Sequence, residues 1–424
     1  MMIVNLRHLF LSLFYGASLS WLLLYEIVPY WSYMNYGGEF SEGGLVAALG
    51  GSAFLGMSVP TRFDTRGMIV TALNYLFFVP AVVYISFSGL QIYHIISFIF
   101  VFVGVYYISS LKMSPLTIAP LRQSNIFLLI FVMIVFAIAS QAAFGGLHYF
   151  SLDIEKVYEF RNISAAEVPG IFGYIFSNAS NVLIPLALTL ALRFKRYFFA
   201  ALIVVCATIL FGMTHHKSVL FTPFVVVLLY ILFATSRSSR ILGIAFLAIP
   251  CIAIAEILYI HYVLGAHQAG YFTSLTVRRV LFTPAMLDTL FLDFFERNPL
   301  YYWSASRFAS WIHENPYGIT APYVIGIEYF ASPQMAANTG AIGSGYANAG
   351  LFGVALYSVA IGLFIGMLNG YGARIGHAAV AAVSFVLVFY VVTTTDLTTA
   401  LLTHGLLLLV FILALFPGTV DQQK

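Results

Sequence analysis

Charged residues are scarce in this chain of 424 residues: Asp, Glu, Lys and Arg make up 8% of it, whereas 61% is hydrophobic and 17% aromatic. A soluble domain carries about a quarter charged residues, so this chain has too few to cover a water-facing surface. The scarcity excludes a cytosolic enzyme, a nucleic-acid-binding protein and a disordered scaffold. We therefore expect an all-α polytopic membrane protein.

Cysteines and phosphate-binding loops are scarce or missing as well. Cys206 and Cys251 are the two cysteines, and both lie in apolar runs, which excludes a disulfide framework. No glycine-rich phosphate loop precedes a helix, which argues against an ATP-driven machine. The adjacent His215 and His216 lack a third ligand at helical spacing, so neither a metal nor another cofactor is expected.

Apolar runs of roughly 20 residues, the length that crosses a bilayer as a helix, recur along the whole chain. About twelve runs qualify, and we expect residues 1–424 to form a single membrane domain. The first run follows a basic N-terminus without a small-residue cleavage site, so we expect it to be retained. The candidates centre on residues 8–30, 42–59, 68–87, 91–110, 125–143, 173–192, 197–213, 218–234, 241–263, 348–369, 375–394 and 397–416.

The basic residues of the short loops predict which side of the membrane each loop faces. They gather after every second candidate helix, and such residues favour the cytoplasmic side. Both termini are therefore predicted to be cytoplasmic, with two long loops, residues 145–170 and 265–346, facing outward. The cytoplasmic set is Arg7, Arg62, Arg66, Lys112, Arg122, Arg193, Lys195, Arg196, Arg237, Arg240, Arg374 and Lys424, and the opposite short loops hold only Lys217.

Ionisable residues collect at the predicted outer face. Such residues are energetically costly near lipid, and where they occur they often mark a functional site. They are Arg161, His215, His216, Lys217, Glu256, His261, Arg278, Arg279 and Asp396. Structural explanations compete with functional ones: Lys217 would pair with Glu256 or extend to the interface, and the two adjacent arginines would form a solvated rim. Those arginines would alternatively suit a diphosphate, because guanidinium groups donate forked hydrogen bonds.

The second long loop contains a predicted amphipathic helix at residues 284–297. Pro284 suits the first helical position, Asn298-Pro299 ends the helix, and such a helix would lie in the outer interface plane. Its apolar stripe consists of Leu287, Leu290, Phe291, Phe294 and Phe295, with Asp288, Asp293 and Glu296 off the stripe. Two roles are open for Asp293: it would take part in a reaction, or it would only form an ion pair with Arg297 four residues on.

Aromatic and polar residues follow this helix in the pattern of surfaces that stack on sugars, although aromatic residues are also ordinary membrane-interface anchors. The set is Tyr301, Tyr302, Trp303, Arg307, Trp311, His313, Tyr317 and Tyr323. A glycine-rich segment, residues 338–350, then leads into the tenth helix. Its glycines allow positive φ and close backbone approach, and its amides, Asn338 and Asn348 would hold a polar ligand at a helix N-terminus. From Gly350 on, helix packing is the alternative.

Four stretches resemble the Wzy-type O-antigen polymerases, which join oligosaccharide repeat units. Three lie in the second half of the chain: Val-Arg-Arg-Val-Leu-Phe-Thr-Pro-Ala at residues 277–285, Leu-Asp-Phe-Phe at 292–295, and the glycine-rich segment at 338–350. The fourth is His216-Lys217-Ser218, which opens the eighth helix. Their order and their position between late helices are similar to that family.

The resemblance implies a glycosyltransferase of the C-type superfamily at the periplasmic face of a bacterial inner membrane. The donor would be a growing glycan on undecaprenyl diphosphate, and the acceptor a single repeat unit on the same lipid carrier. A polysaccharide co-polymerase that regulates chain length is the protein partner that the resemblance implies, and no nucleic acid is involved.

Residue roles follow from the same resemblance. Arg278 and Arg279 would bind the donor diphosphate and stabilise the charge of the leaving group. Asp293, His216 and His313 are candidate bases for the acceptor hydroxyl, and Asp293 is favoured because it lies in a motif near the arginines. The expected catalytic residues are Arg278, Arg279, Asp293 and His216, and the expected substrate-binding residues are Arg161, Lys217, Trp303, Arg307, His313, Asn338, Tyr346 and Asn348.

Two other functions are compatible with the composition. An O-antigen ligase shares the superfamily architecture but transfers to lipid A core, so the identity of the acceptor separates it from a polymerase. A flippase or secondary transporter for the lipid-linked sugar would show an internal repeat and charges at mid-membrane in both halves. The sequence shows neither, because its charges gather at one face.

Overall fold

The structure, a computed structural model, describes residues 6–89, 91–148, 150–153, 170–306 and 309–417. This part of the chain is helical and contains no strand, as expected for an all-α polytopic membrane protein. Ten helices in it are long and apolar enough to cross a membrane. They are His8–Met34, Thr65–Phe87, Ile92–Ser110, Gln123–Gly146, Gly170–Arg193, Tyr197–Thr214, Lys217–Thr235, Ser239–Val263, Ala341–Ile375 and Leu397–Ala414.

Two shorter helices of 17 residues coincide with the remaining predicted runs. His377–Thr393 is apolar and matches the eleventh run. Glu42–Ser58 matches the second run, and its sequence, EGGLVAALGGSAFLGMS, is rich in glycine. Every predicted run is thus helical, whereas the number of membrane crossings and their orientation stay predictions.

The described helices form two compact units. The first contains residues 1–111, 236–366 and 388–397, and the second contains residues 112–235, 367–387 and 398–424. The second predicted outer loop belongs to the first unit, and the histidine–lysine turn at 215–217 belongs to the second. The first predicted outer loop lies largely outside the described residues.

In the first unit, Glu42–Ser58 packs closely along His8–Met34 through small residues. A Cβ atom on Gly16 would overlap the Ser52 hydroxyl, and one on Gly56 would overlap the backbone carbonyl of His8. Such contacts require glycine, and they let two helix backbones approach as they do in small-residue membrane interfaces.

Prolines inside four helices follow directly on π-helical turns. The π-helical segments Leu23–Ile27, Asn74–Phe78, Ala179–Leu183 and Ser274–Phe282 each end two residues before a proline, namely Pro29, Pro80, Pro185 and Pro284. Proline lacks a backbone N–H and its ring crowds the carbonyl four residues earlier, and wider turns relieve both problems. The helices therefore continue through these prolines.

The second predicted outer loop is helical over much of its length. A continuous helix spans residues 271–295 and is called the arginine helix below, and a shorter helix, Ala321–Phe330, follows it. The predicted helix start at Pro284 is wrong, because the π-helical turns that precede this proline carry the helix through it. The arginine motif therefore lies within a helix and not in a loop before one.

Candidate functional site

The arginine helix begins where Glu256, from the preceding helix Ser239–Val263, binds its first turn. The two carboxylate oxygens of Glu256 accept hydrogen bonds from the backbone N–H groups of Phe272 and Thr273, each at 2.8 Å. The Thr273 hydroxyl donates a third bond at 2.8 Å. A carboxylate in this position satisfies unpaired amides and interacts favourably with the helix dipole. Glu256 therefore positions the helix that carries both arginines.

Arg278 is buried, with 7% of its surface exposed. Its guanidinium donates to the Ser274 hydroxyl from Nε at 3.2 Å and from Nη2 at 3.0 Å. Its Nη1 lies 3.7 Å from the sulfur of Met34, and Cζ lies 5.0 Å from the centre of the Trp31 ring. No carboxylate of the described residues lies within 4 Å of it. The described neighbours of this guanidinium are thus a hydroxyl, a thioether sulfur and an aromatic ring, and none of them carries a negative charge.

Arg279 is the exposed neighbour of this buried cation. The backbone between the two arginines and Pro284 is fixed by hydroxyl groups: Thr283 donates to the Arg278 carbonyl at 2.9 Å, and the Tyr36 hydroxyl lies 2.6 Å from that of Thr283. Burial raises the pKa of the Tyr36 phenol, the two arginines opposing this only in part, so Tyr36 does not neutralise them. Adjacent buried and exposed guanidinium groups are the arrangement that a large, multiply charged anion would use.

Asp293 lies further along the same helix. Its carboxylate pairs with Arg297, which confirms the structural alternative from the sequence, and its other oxygen accepts a hydrogen bond from the Tyr329 hydroxyl at 2.5 Å. Fourteen positions separate residues 279 and 293, which corresponds to about 20 Å along a helix axis. Asp293 and Arg279 therefore do not contact the same small group in this conformation, and the catalytic role of Asp293 stays a prediction.

Asp288 is the buried acid that the sequence interpretation missed. Its predicted place off the apolar face is wrong: the residue is 1% exposed, because the helix buries a wider face than the predicted stripe. One oxygen accepts hydrogen bonds from the Thr339 hydroxyl at 2.6 Å and the Gly343 N–H at 3.1 Å. The other has no hydrogen-bond partner among the described residues. The spacing of Asp288 from Phe291 and Phe295, three and seven positions, was the available sequence signal.

Burial raises the pKa of Asp288 to about 7, although its hydrogen bonds from Thr339 and Gly343 favour the ionised form. The carboxyl therefore changes protonation state near neutral pH. Because Gly343 belongs to the first turn of Ala341–Ile375, Asp288 also joins the arginine helix to the N-terminus of that helix.

Ala341–Ile375 is interrupted, and we call it the broken helix. Ala349 has φ −151° and ψ 32°, and Gly350 has φ 59° and ψ −147°, so the helix stops and restarts there. The close backbone approaches predicted for this segment are confirmed: a Cβ on Gly340 would overlap the Val392 carbonyl, and one on Gly353 would overlap the Gly345 carbonyl. Glycine is required at position 350 because other residues avoid this region of φ and ψ.

Asn348, the last residue before the break, connects the broken helix to the segment at 301–303. Its backbone carbonyl accepts from the Tyr302 N–H at 2.8 Å, and its side-chain oxygen accepts from the Trp303 N–H at 3.1 Å. Tyr302 and Trp303 have φ of 47° and 60°, a strained backbone for residues with side chains, and such strain persists only where surrounding contacts impose it. Asn348 supplies two of those contacts.

A polar network extends from Asn348 to residues that lie far away in the chain. The Tyr357 hydroxyl donates to Asp396 at 2.7 Å and accepts from the Trp303 ring N–H at 2.9 Å. The Asn348 amide lies 3.2 Å from the same Asp396 oxygen. The structure thus brings together two predicted substrate-binding residues, Trp303 and Asn348, with the predicted outer-face acid Asp396 and with Tyr357, which no sequence pattern indicated.

The other predicted site residues are distributed more widely. His313 is exposed with its ring 5.6 Å from that of Tyr302, and Asn338 is exposed. Tyr346 is 6% exposed, and its ring lies 6.2 Å from that of Tyr93. Arg161 and Arg307 lie outside the described residues.

His216 and Lys217 belong to the second unit. His216 lies half-buried with its ring 5.2 Å from that of Phe176, and Lys217 begins the helix Lys217–Thr235. Neighbouring His215 is buried in a left-handed backbone conformation, and burial lowers its pKa. Within the described ranges, no group of three or more His, Cys, Asp or Glu residues could hold a metal ion.

Comparison with known proteins adds no assignment, because no family model, no curated protein and no solved structure matches this chain. The chemistry of the first unit therefore has to be read from its own residues. The arginine helix offers two cations for an anion, and the network around Asn348 offers donors and acceptors for hydroxyl groups. Asp288 links the helices that carry these two sets.

Proposed function

We propose that this protein is a glycosyltransferase that polymerises oligosaccharide repeat units carried on a lipid diphosphate into O-antigen or a related surface polysaccharide. The observation that carries the proposal is the arginine pair. Arg278 is buried beside Trp31 with no carboxylate of the described residues within 4 Å, and Arg279 is exposed next to it. Two such guanidinium groups suit a diphosphate better than a single carboxylate.

In the proposed reaction, a hydroxyl oxygen of the acceptor sugar bonds to the anomeric carbon of the donor glycan. The bond between that carbon and the diphosphate oxygen breaks, and the undecaprenyl diphosphate leaves with the electron pair. The acceptor hydroxyl gives up its proton to a base. Asp293 is the residue that the sequence favours, but it lies about 20 Å from Arg279 along the helix axis, so it would serve as this base only in a conformation that brings it to the arginines. Arg278 and Arg279 stabilise the negative charge that develops on the leaving group. No nucleotide or general acid is needed for this step.

The acceptor side of the proposal uses the residues around Asn348. Trp303 presents a half-buried ring held by the Tyr357 hydroxyl, and aromatic rings supply large, rigid contact surfaces for a ligand. The strained backbone at Tyr302 and Trp303 sets the orientation of this ring. We place the site at the periplasmic face of a bacterial inner membrane, with a chain-length-regulating co-polymerase as partner, because the arginine helix lies in the predicted outward loop.

The experiment that tests the proposal is lipopolysaccharide banding in the native bacterium with Arg279→Ala and Arg279→Lys. Arg62→Ala is the matched control, because it removes another exposed arginine of the same unit that has no role in the proposed site. Membrane levels of each variant are measured alongside. Removal of one transition-state donor costs roughly 10²–10³-fold in rate, so Arg279→Ala is expected to abolish the ladder and leave single repeat units on the core.

Other outcomes would contradict either the proposed polymerase function or the role of Arg279 in it. An unchanged ladder in Arg279→Ala would remove Arg279 from the site. Loss of every repeat, including the first, would indicate a ligase or a transporter of the lipid-linked sugar. Loss of the ladder in Arg62→Ala to the same extent would show that the effect follows from general damage to the protein.

A further inference from the structure

A second group of arginines lies in the second unit, at helix ends far along the chain from the arginine pair. Arg122 precedes Gln123–Gly146, Arg193 ends Gly170–Arg193, and Arg374 lies in the last turn of the broken helix. All three line one cavity of about 550 Å³. Cavities of roughly 300–1,000 Å³ are the size that holds small molecules in proteins.

The cavity carries positive charge without acidic residues in its lining. Its other walls are apolar or neutral and include Leu121, Phe194 and Phe416. No described carboxylate lies within 4 Å of any of the three guanidinium groups. Three cations around one cavity repel each other, and an anion placed between them would remove that repulsion.

The hydrogen bonds of the three arginines fix two of them and leave donors for a ligand. Arg193 donates from Nε to the Ile375 carbonyl at 2.6 Å. Arg374 donates from Nη1 to the Thr117 hydroxyl at 2.7 Å and from Nη2 to the Pro115 carbonyl at 3.3 Å. A guanidinium has five N–H donors, so these bonds hold the side chains in place without exhausting them. Arg122 makes no side-chain hydrogen bond within the described residues and is exposed.

We infer that this cavity binds a phosphate ester anion. Planar guanidinium groups recognise phosphate by paired hydrogen bonds, and three of them converge here. Because each arginine stands at the end of an apolar helix that is long enough to cross a membrane, the cavity lies at the level of lipid headgroups. Its apolar walls at Leu121, Phe194 and Phe416 suit the glycerol and upper acyl carbons of an anionic phospholipid, and basic pockets between membrane helices bind such headgroups.

The inference is independent of the proposed glycosyl transfer. Its residues all belong to the second unit, and the basic-loop pattern predicts that they face the cytoplasm, opposite to the predicted outer loops. Failure of one proposal therefore leaves the other unaffected.

Native mass spectrometry of the purified full chain tests the inference with phosphatidylglycerol and phosphatidylcholine as probes. Arg122→Gln is the informative variant, because its side chain holds no other group in place, and Arg122→Lys keeps the charge. Lys195→Gln is the matched control: it removes one positive charge from an exposed residue of the same unit that does not line the cavity. One lost charged hydrogen-bond pair corresponds to about a tenfold change in affinity.

The expected result is retention of phosphatidylglycerol over phosphatidylcholine, weakened about tenfold by Arg122→Gln and unchanged by Lys195→Gln. Competition by millimolar inorganic phosphate or diphosphate would assign the site to a soluble phosphate ester, and absence of competition would assign it to the lipid. Equal retention of the two lipids without any phosphate binding would overturn the inference. So would a loss of binding that is the same in Arg122→Gln and Lys195→Gln, because charge alone would then explain it.

Discussion

Replacement of Asp288 by asparagine is expected to remove a large part of the pH dependence of stability. In the folded protein, burial holds the pKa of Asp288 at about 7, compared with an ordinary value of 3.8. The folded state therefore binds this proton more tightly than the unfolded state does. The stabilisation that the bound proton provides is complete below pH 3.8, the ordinary value, and it is lost as the pH rises from there through 7.

The size of this effect on the free energy of unfolding follows from the difference between the folded pKa of about 7 and the ordinary value of 3.8. Each pKa unit corresponds to about 1.4 kcal/mol, so the full range is about 4 kcal/mol, of which about 2–3 kcal/mol falls between pH 5 and pH 8. Asparagine keeps an oxygen that accepts from Thr339 and Gly343, and it carries no charge at any of these pH values. The Asp288→Asn variant is therefore expected to match the wild type only below about pH 4, to be more stable by about 1–2 kcal/mol at pH 5, and to be more stable by about 4 kcal/mol at pH 8.

The assay is denaturant or thermal unfolding of both proteins in the same detergent at pH 5, 6, 7 and 8, followed by tryptophan fluorescence. Asp293→Asn is the control, because it changes a carboxylate of the same helix whose ion pair with Arg297 is largely exposed. Such pairs contribute about 0–1 kcal/mol. If Asp288→Asn lost the same stability at pH 5 and pH 8, the carboxyl would be ionised throughout with an unrecognised partner, and our account of its burial would be wrong.

Three further substitutions test the elements around the candidate site by the same unfolding assay. Gly350→Ala is expected to lower stability by about 1–3 kcal/mol, because alanine resists its backbone conformation, whereas Gly173→Ala, with nothing within 4 Å of its added Cβ, should not lower it. Glu256→Ala should cost about 1–3 kcal/mol through the lost cap, and Glu256→Gln less; a loss in Glu256→Gln as large as that in Glu256→Ala would show that the neutral amide oxygen cannot replace the charged carboxylate. Asn348→Ala should cost about 2–3 kcal/mol and shift tryptophan emission through Trp303, and an unchanged spectrum would contradict the contacts assigned to Asn348.

The helices were predictable because the length and hydropathy of an apolar run are enough to indicate a helix. Each apolar run has to satisfy its backbone hydrogen bonds internally in lipid, so length and hydropathy are sufficient to indicate a helix. The start of the arginine helix was not predictable in this way. A proline suggests a boundary, and nothing in the residues before Pro284 reveals that π-helical turns allow the helix to pass through it.

The candidate site was predictable where charge near lipid is itself the signal, as for the adjacent arginines. Which of them is buried depends on Trp31 and Met34, more than 240 positions earlier in the chain. Tyr357 lies in an apolar run without any local pattern, and it joins Asp396 only because the chain folds back. Contacts of this kind arise from tertiary packing and leave no trace in local spacing.

The close pairing of Glu42–Ser58 with His8–Met34 also constrains how the chain enters a bilayer during synthesis. A glycine-rich helix gains little free energy from lipid on its own, and its contacts at Gly16 and Gly56 exist only once the earlier helix is present. Synthesis from the N-terminus supplies that earlier helix first. If Glu42–Ser58 crosses the membrane as the sequence predicts, the two helices would insert together, and Glu42–Ser58 would not be retained in the bilayer without the helix that precedes it.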